Sequence, residues 1–441
     1  MNQHFIKLAS TVAIAIALAT THAMAQNGSN SPYSRYGFGT LNDRAQGFNK
    51  AMAGTALGFH DPAEINFQNP ASYSAIDSLA MIFDIGVTFQ NANFKQGDLK
   101  KNAHNTTVDY INMAFRACRN LGMSIGLVPY SSVGYSFTNQ QTMPDIDGSG
   151  EKISATTYNG DGGLHEVYVG LGWKFAKNFS IGANAGYLWG DYNHSVKASF
   201  SDTNIRQYAR VYSADISTYK IDFGAQFDQL LSKYDLLTIG ATYSLGHNVN
   251  SSAQFINEML NSSGAVTGGD TVKLSNAFEL PHTFGIGLAW NHKDRWKVGF
   301  DYSYELWKNV KFPMLVSENG TDVYKSTTGA FDNRQRFSLG AEFLPNNLGI
   351  RYSDHIRYRL GVSYGTSYTR VNENSGAKDI IVSAGVGLPI ANIINNRSIL
   401  NISAQWEHIR PNKSHLLTEN YLRICIGLTF NERWFQKWKV E

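Results

Sequence analysis

"SLAMIFDIGVTFQ", residues 78–90, decides the fold. Leu79, Met81, Phe83, Ile85, Val87 and Phe89 fall on one face of an extended chain, and Ala80, Ile82, Asp84, Gly86, Thr88 and Gln90 on the other. That period of two belongs to a strand with one greasy and one small or polar side. The pattern returns far down the chain. Val167, Val169, Leu171, Trp173 and Phe175 alternate with Tyr168, Gly170, Gly172 and Lys174, and Leu422, Ile424, Ile426, Leu428 and Phe430 with Arg423, Cys425, Gly427 and Thr429. Fourteen such segments are legible, near 78–95, 104–118, 121–138, 162–175, 178–197, 208–229, 236–250, 278–291, 295–311, 330–343, 356–372, 376–388, 398–411 and 418–430.

The connections alternate as well. Very short turns (Arg119-Asn120, Ala176-Lys177, His292-Lys293-Asp294) trade places with polar stretches that read as long loops, 139–161, 251–277 and 312–329. An even strand count with short turns at one end and long loops at the other is the pattern of an outer-membrane barrel. Trp173, Phe175, Phe179, Trp290, Trp296, Phe343 and Phe430 sit on the apolar face near the short-turn ends, where an aromatic girdle belongs. A secreted β-sandwich or propeller is the competing architecture. Its strands run to a mode of about 5–6 residues, shorter than these segments, and no blade-length repeat appears. The fold expected is all-β: a transmembrane antiparallel up-and-down barrel of about 14 strands.

The chain begins like an exported protein. Lys7 precedes the apolar stretch Leu8 to Ala19, and Ala23-Met24-Ala25 has the small-x-small form of a cleavage site, so residues 1–25 read as a signal peptide. That stretch is shorter than the about 20 residues of a membrane helix. Residues 26–77 precede the first strand and do not alternate, yet they hold Phe38, Leu41, Phe48, Met52, Leu57, Phe59, Ile65, Phe67 and Tyr73. A barrel of fourteen strands has a lumen, and folding into it as a plug or hatch buries those side chains. Residues 78–430 then form the barrel and 431–441 a periplasmic tail.

The formal charge of +3 on 441 residues, with Lys and Arg scattered, argues against nucleic acid. His165-Glu166 has no second His at metal-ligand spacing, and "DIDGSGEKISAT" (145–156) has Thr156 where a calcium loop needs Glu, so neither metal nor cofactor is expected. Nothing forces a Ser beside a His, and the chain does not read as an enzyme. Cys118 and Cys425 are expected to point inward on strands two apart, too far for a disulfide.

Local chemistry organises the N-terminal segment. Asp61-Pro62-Ala63-Glu64 reads as one helical turn with an N-cap acceptor and Pro at its first position. Asn69-Pro70-Ala71 reads as a rigid corner, with the Asn side chain closing onto its own backbone and Pro fixing φ. "AMAGTALGFHDPAEINFQNPASY" (51–73) resembles the N-terminal hatch of the FadL/TodX family of outer-membrane transporters for hydrophobic compounds, through a Gly/Ala-rich segment, Asp61, and an aromatic followed by Asn69, Pro70 and Ala71. "LPHTFGIGLAW" (280–290) and "WKVGFDYSYELW" (296–307) resemble the family's Leu-Pro strand and the Trp-Asp-Trp strand after it, with Asp301 and Trp307 in the matching places. "SPYSRYGFG" (31–39) resembles instead FadL-like barrels of the Bacteroidetes lineage.

The resemblance implies a monomeric outer-membrane barrel in a Gram-negative bacterium. It would take up hydrophobic small molecules passively, fatty-acid-like or aromatic, and release them sideways to outer-membrane lipid at a kinked third strand. In "LGMSIGLVPYSSVGYSFT" Pro129 interrupts the third segment, followed by Ser131, Ser132 and Gly134. A Pro inside a closed barrel deletes a ladder hydrogen bond and demands a bulge. These four residues are the expected gate, and Phe38, Phe59, Phe67 and Tyr130 the expected hydrophobic pocket. The competing function is a binding, shuttle or scaffold barrel, since FadL-like proteins also resemble a component of type IX secretion. That role would seat a protein partner on the extracellular loops 139–161 or 251–277.

Overall fold

The structure is a computed structural model that describes residues 29–143, 152–202, 205–371, 374–390, 398–413 and 416–433. The signal-peptide reading, most of the calcium-loop-like stretch and the last eight residues lie outside these.

Fourteen antiparallel strands close into a barrel. They are β1 (Ala80–Gln96), β2 (Leu99–Cys118), β3 (Leu121–Met143), β4 (Lys152–Trp173), β5 (Phe179–Phe200), β6 (Gln207–Ser232), β7 (Asp235–Ser244), β8 (Thr283–His292), β9 (Trp296–Glu305), β10 (Arg334–Phe343), β11 (Arg357–Thr366), β12 (Lys378–Pro389), β13 (Ile399–Arg410) and β14 (Thr418–Arg433). Each pairs with the next, and β1 pairs with β14 from Ala80↔Arg433 to Lys95↔Thr418, which closes the cylinder. The alternation of "SLAMIFDIGVTFQ" becomes a burial pattern. Ala80, Ile82, Asp84 and Thr88 are buried, whereas Leu79 and Phe89 are exposed.

The outward apolar side chains form a continuous band. Val167, Val169, Leu171 and Trp173 of β4 and Phe284, Ile286, Leu288 and Trp290 of β8 are all exposed, a surface suited to hydrocarbon and not to water. At the short-turn ends rings pack in tilted pairs, Trp296 with Phe343 at 4.3 Å and Phe179 with Phe227 at 4.5 Å.

Several elements differ from the sequence reading. Among the described residues, most of the stretches 139–161, 251–277 and 312–329 is strand and not loop. β3 runs on to Met143 and β4 starts at Lys152; Ala253–Leu260 and Val266–Leu274 make a hairpin whose first strand pairs with residues 207–214 of β6; Phe312–Glu318 and Thr321–Thr327 make another hairpin. Polar sequence there marks strands that have left the membrane band and face water on one side. Residues 61–64 form a turn and a bend, not a helical turn. The Asp61 Oδ1 accepts from the Ala63 N–H at 2.9 Å, which closes the turn through the side chain. Cys118 is exposed, not inward, because the β2–β3 register slips between Arg116 and Cys118. Both cysteines are free thiols.

Residues 29–77 pack against the inner faces of the strands. Phe38, Met52, Ile65, Phe67, Ala71 and Tyr73 are buried, each at 1% exposure or less. Inward glycines admit the backbone of this segment at van der Waals range. A Cβ added at Gly182 would fall on the Pro70 carbonyl, at Gly122 on that of Tyr73, and at Gly240 on that of Leu57. At the opposite end, Phe38, Phe278, Trp307, Phe312, Phe331 and Tyr368 fill the mouth with touching rings; Trp307 and Tyr368 lie 4.4 Å apart.

Candidate functional site

The site begins with two bulges. Pro129 lacks an N–H, and the β3–β4 register slips between Pro129 and Ser131, leaving Tyr130 as the extra residue. Directly across, β2 slips against β1 between Gly86↔Tyr110 and Val87↔Val108, leaving Asp109 extra. The β2–β3 ladder runs from Cys118↔Leu121 up to Ile111↔Leu127 and stops there. Above that point β2 pairs with β1, and β3 with β4, but not with each other. Two bulges at one height splay the neighbouring strands, and the wall opens between them.

The opening starts within the upper part of the apolar band. Outward Ile111 and Leu127 are exposed and apolar; above them the exposed residues are Val108 and then the polar His104, Thr106, Ser136 and Thr138.

The N-terminal segment covers the freed edge of β3. Thr40–Leu41 forms a short antiparallel strand with Thr40↔Ser132 and Leu41↔Ser131. The Asn42 N–H donates to the Tyr130 carbonyl at 3.0 Å, and the Gly134 N–H to Ser34 Oγ at 3.1 Å. Backbone groups that β2 no longer satisfies thus find partners from inside, as the cost of an unpaired group in an apolar surrounding requires.

Behind the opening lies a cavity of about 580 Å³. Its wall includes Thr107, Val108, Asp109, Pro129, Ser131 and Ser132 from the split strands, Leu41, Asp43 and Lys50 from the N-terminal segment, and Arg334, Arg336, Asp379, Glu407 and Arg423 from the far side. Lys50 bridges Asp43 at 2.8 Å and Asp109 at 3.3 Å, and so ties the segment to the bulge in β2. Those two carboxylates hold the Lys50 ammonium above its ordinary pKa despite burial, and Lys50 lowers that of Asp43. The Ser131 hydroxyl is buried against this space with no partner among the described residues.

Lower in the lumen the segment is tied on every side. The Asp301 Oδ2 accepts from the N–H groups of Ala56 at 2.6 Å and Leu57 at 2.9 Å. Gln226 donates to the carbonyls of Leu57 and Phe59, Tyr73 donates to Asn184 at 3.1 Å, and Arg44 meets Asp222 at 2.8 Å. Asp61 bonds Lys297, which with Arg357 pulls its carboxyl down to about 2 against the opposing effect of burial. Glu64 is buried 3.3 Å from Arg359, and burial pushes it up to about 7 even so.

Asn69, Pro70 and Ala71 sit as one unit. Asn69 caps the 3₁₀ turn Pro70–Ala75, its Oδ1 accepting from the Ala71 N–H at 3.2 Å while its Nδ2 donates to the Leu57 carbonyl at 2.8 Å. Pro129, Ser131 and Ser132 line the cavity together, and Gly134 lies just above on the covered edge. The four aromatics are not brought together. Phe38 belongs to the mouth cluster, with Tyr130 packed against it; Phe59 packs with Phe48 and Met52, and Phe67 with Tyr168 and Tyr73. None of the four lines the cavity. Sequence reasoning missed Asp109, Lys50 and Arg336, polar residues where a greasy pocket was expected.

Comparison with known proteins fits this geometry. The sequence profile of the BamG family matches residues 6–441, and the chain belongs to that family. No curated protein matches it. Its fold resembles that of the CymD monoaromatic hydrocarbon channel (TM-score 0.58, 15% identity, 90% of this chain and 100% of that one). It also resembles the Ralstonia pickettii toluene transporter TbuX (0.57, 14%, 89% and 99%) and the P. putida toluene transporter TodX (0.58, 13%, 90% and 100%). The fold is thus that of the FadL/TodX-type barrels whose hatch motif residues 51–73 resemble.

Proposed function

We propose that the protein is a monomeric outer-membrane channel in which residues 29–77 act as the hatch, and hydrophobic or amphipathic small molecules pass between the lumen and the outer leaflet through the split between β2 and β3. One observation carries this reading: the cavity behind the opening shares its wall with the break in the ladder, so that Asp109 and Pro129 line both. The structures this chain resembles are a monoaromatic hydrocarbon channel and two toluene transporters. In this mechanism Pro129 and the extra Tyr130 hold the wall open, Thr40–Leu41 screens the edge at rest, and Lys50 latches the screen to Asp109. A molecule in the cavity displaces the screen and enters the bilayer.

The test replaces Pro129 by Val and removes residues 27–70 in separate variants, then follows uptake of a labelled fatty acid. The channel reading expects a fall in the first and altered, unregulated uptake in the second; unchanged uptake in both contradicts it.

A scaffold function has its own support. The mouth is filled by packed rings, and the hairpin Ala253–Leu260/Val266–Leu274 raises the β6 side of the sheet beyond the barrel with an outer strand that pairs on one side among the described residues. Such an edge can accept a partner's strand. Co-purification of a protein that is lost when residues 253–274 are replaced by a short turn, with fatty-acid uptake absent in the wild type, is the result this second reading expects.

A further inference from the structure

Most charges in the cavity wall are neutralised in place. Lys50 meets Asp43 and Asp109, Arg423 meets Glu407, and Arg334 meets Glu305 at 2.9 Å. Arg336 and Asp379 differ, as does Glu419, whose carboxylate is held instead by the hydroxyls of Ser31 and Tyr421. Arg336 donates to Ser363 Oγ at 3.2 Å, and among the described residues neither it nor Asp379 has an opposite charge within 4.0 Å. Arg334 and Asp43 feel their fields, but each is already bonded to another partner.

The two lie in one row. Arg336 on β10 is the register partner of Gly365 on β11, and Gly365 that of Asp379 on β12. All three point inward, since the neighbours Phe337, Tyr364 and Ile380 are exposed on the outer face. Two strand spacings separate the charges, about 9–10 Å between Cα atoms. Gly365 lets the Asp379 carboxyl lean over it on the side that faces Arg336, since a Cβ there would stand 2.5 Å from that carboxyl.

We propose that the row Arg336, Gly365 and Asp379 is a receptor for an amine–phosphate zwitterion, the phosphate on Arg336, the ammonium on Asp379, and any attached apolar chains leaving through the split at Asp109 and Pro129. The inference rests on the channel reading and names its cargo as zwitterion-headed rather than bare hydrocarbon. A planar guanidinium accepts phosphate oxygens two at a time. Two unpaired charges in a half-buried wall carry a desolvation cost that a zwitterion offsets at both ends. A purely anionic head pairs with Arg336 but is repelled by Asp379, so the site selects by charge pattern.

The experiment measures lipid retained by the purified full-length barrel in native mass spectrometry, with phosphatidylethanolamine and phosphatidylglycerol of identical chains offered together. Wild type is expected to favour the ethanolamine lipid by about tenfold, and Arg336→Gln or Asp379→Asn to bring the ratio to about one. The exchanged pair Arg336→Asp with Asp379→Arg is expected to recover the preference, which a merely misfolded barrel cannot do. Free glycerophosphoethanolamine forms the second arm. If it displaces the lipid at equal concentration, the head alone is recognised and the receptor takes a soluble zwitterion; if only the intact lipid binds, the chains in the split contribute. Equal retention of both lipids by wild type overturns the inference while fatty-acid uptake, if intact, leaves the channel reading standing. Retention of neither also overturns it, and with absent uptake removes the channel reading as well.

Discussion

Replacing Asp301 by Ala is expected to loosen the N-terminal segment at its tightest attachment. The Asp301 Oδ2 accepts from two backbone N–H groups, Ala56 at 2.6 Å and Leu57 at 2.9 Å, in residues exposed by only 0% and 6%. Removal of the acceptor leaves both donors buried without a partner, at about 1–3 kcal/mol each, so the local seating weakens by about 2–6 kcal/mol. At about 1.4 kcal/mol per factor of ten, amide exchange at these residues should quicken by about thirtyfold to twenty-thousandfold if they exchange by local opening. Hydrogen–deuterium exchange of a peptide spanning 51–59 reads this directly, with a barrel peptide from β5 as the internal standard. Asp301→Asn keeps an acceptor oxygen in place and should show a small fraction of the effect. Unchanged exchange in the Ala variant would refute the assignment of Asp301 as the anchor.

Three further outcomes follow from the same geometry. Glu64 has its pKa raised from 4.5 to about 7 by burial, against the pull of Arg359. It therefore binds its proton more tightly folded than unfolded, and its contribution is complete below pH 4.5 and lost as pH rises to about 7. Glu64→Gln should remove a pH-dependent loss of about 3 kcal/mol in protease protection of residues 51–73 over that window, whereas Asp61, lowered from 3.8 to about 2, acts in the opposite sense below pH 3.8. Deleting Tyr130 together with Pro129→Val removes both the missing donor and the extra residue, since Pro129↔His165 and Ser131↔Leu164 are already adjacent pairs on β4. That variant should retain the heat-modified gel mobility of a folded barrel and lose most fatty-acid uptake. Gly182→Val drives side-chain atoms into the Pro70 carbonyl, and overpacking of this kind costs about 1–3 kcal/mol; exchange at residues 69–73 should rise while that of β13 stays constant.

The barrel was legible because its signal is repeated in every strand: alternation like that of residues 78–90 needs no knowledge of distant contacts. Pro129 was legible for a similar reason, as a missing N–H announces its own bulge. Its counterpart Asp109 carries no such mark, and an Asp within a polar strand looks like a solvated position. The two-residue strand Thr40–Leu41 is too short to show a period, and its pairing with Ser131–Ser132 exists because β2 has moved away. Aromatic residues in the N-terminal segment were identifiable as buried, but sequence does not separate a ring that lines a cavity from one that fills a core. Phe38, Phe59 and Phe67 fill cores. The Arg336–Gly365–Asp379 row depends on strand register across two hairpins, which the 13 residues between Phe343 and Arg357 leave undetermined in the sequence.

The path itself can be mapped by feeding cells a fatty acid whose chain carries a diazirine, irradiating, and locating the adducts on the barrel by mass spectrometry. A side exit between β2 and β3 predicts adducts concentrated at Leu41, Val108 and Pro129, reduced when the Tyr130-deleted variant is used. Adducts confined to the mouth rings around Trp307, or spread evenly over the outward band with none at Val108 or Pro129, would contradict it.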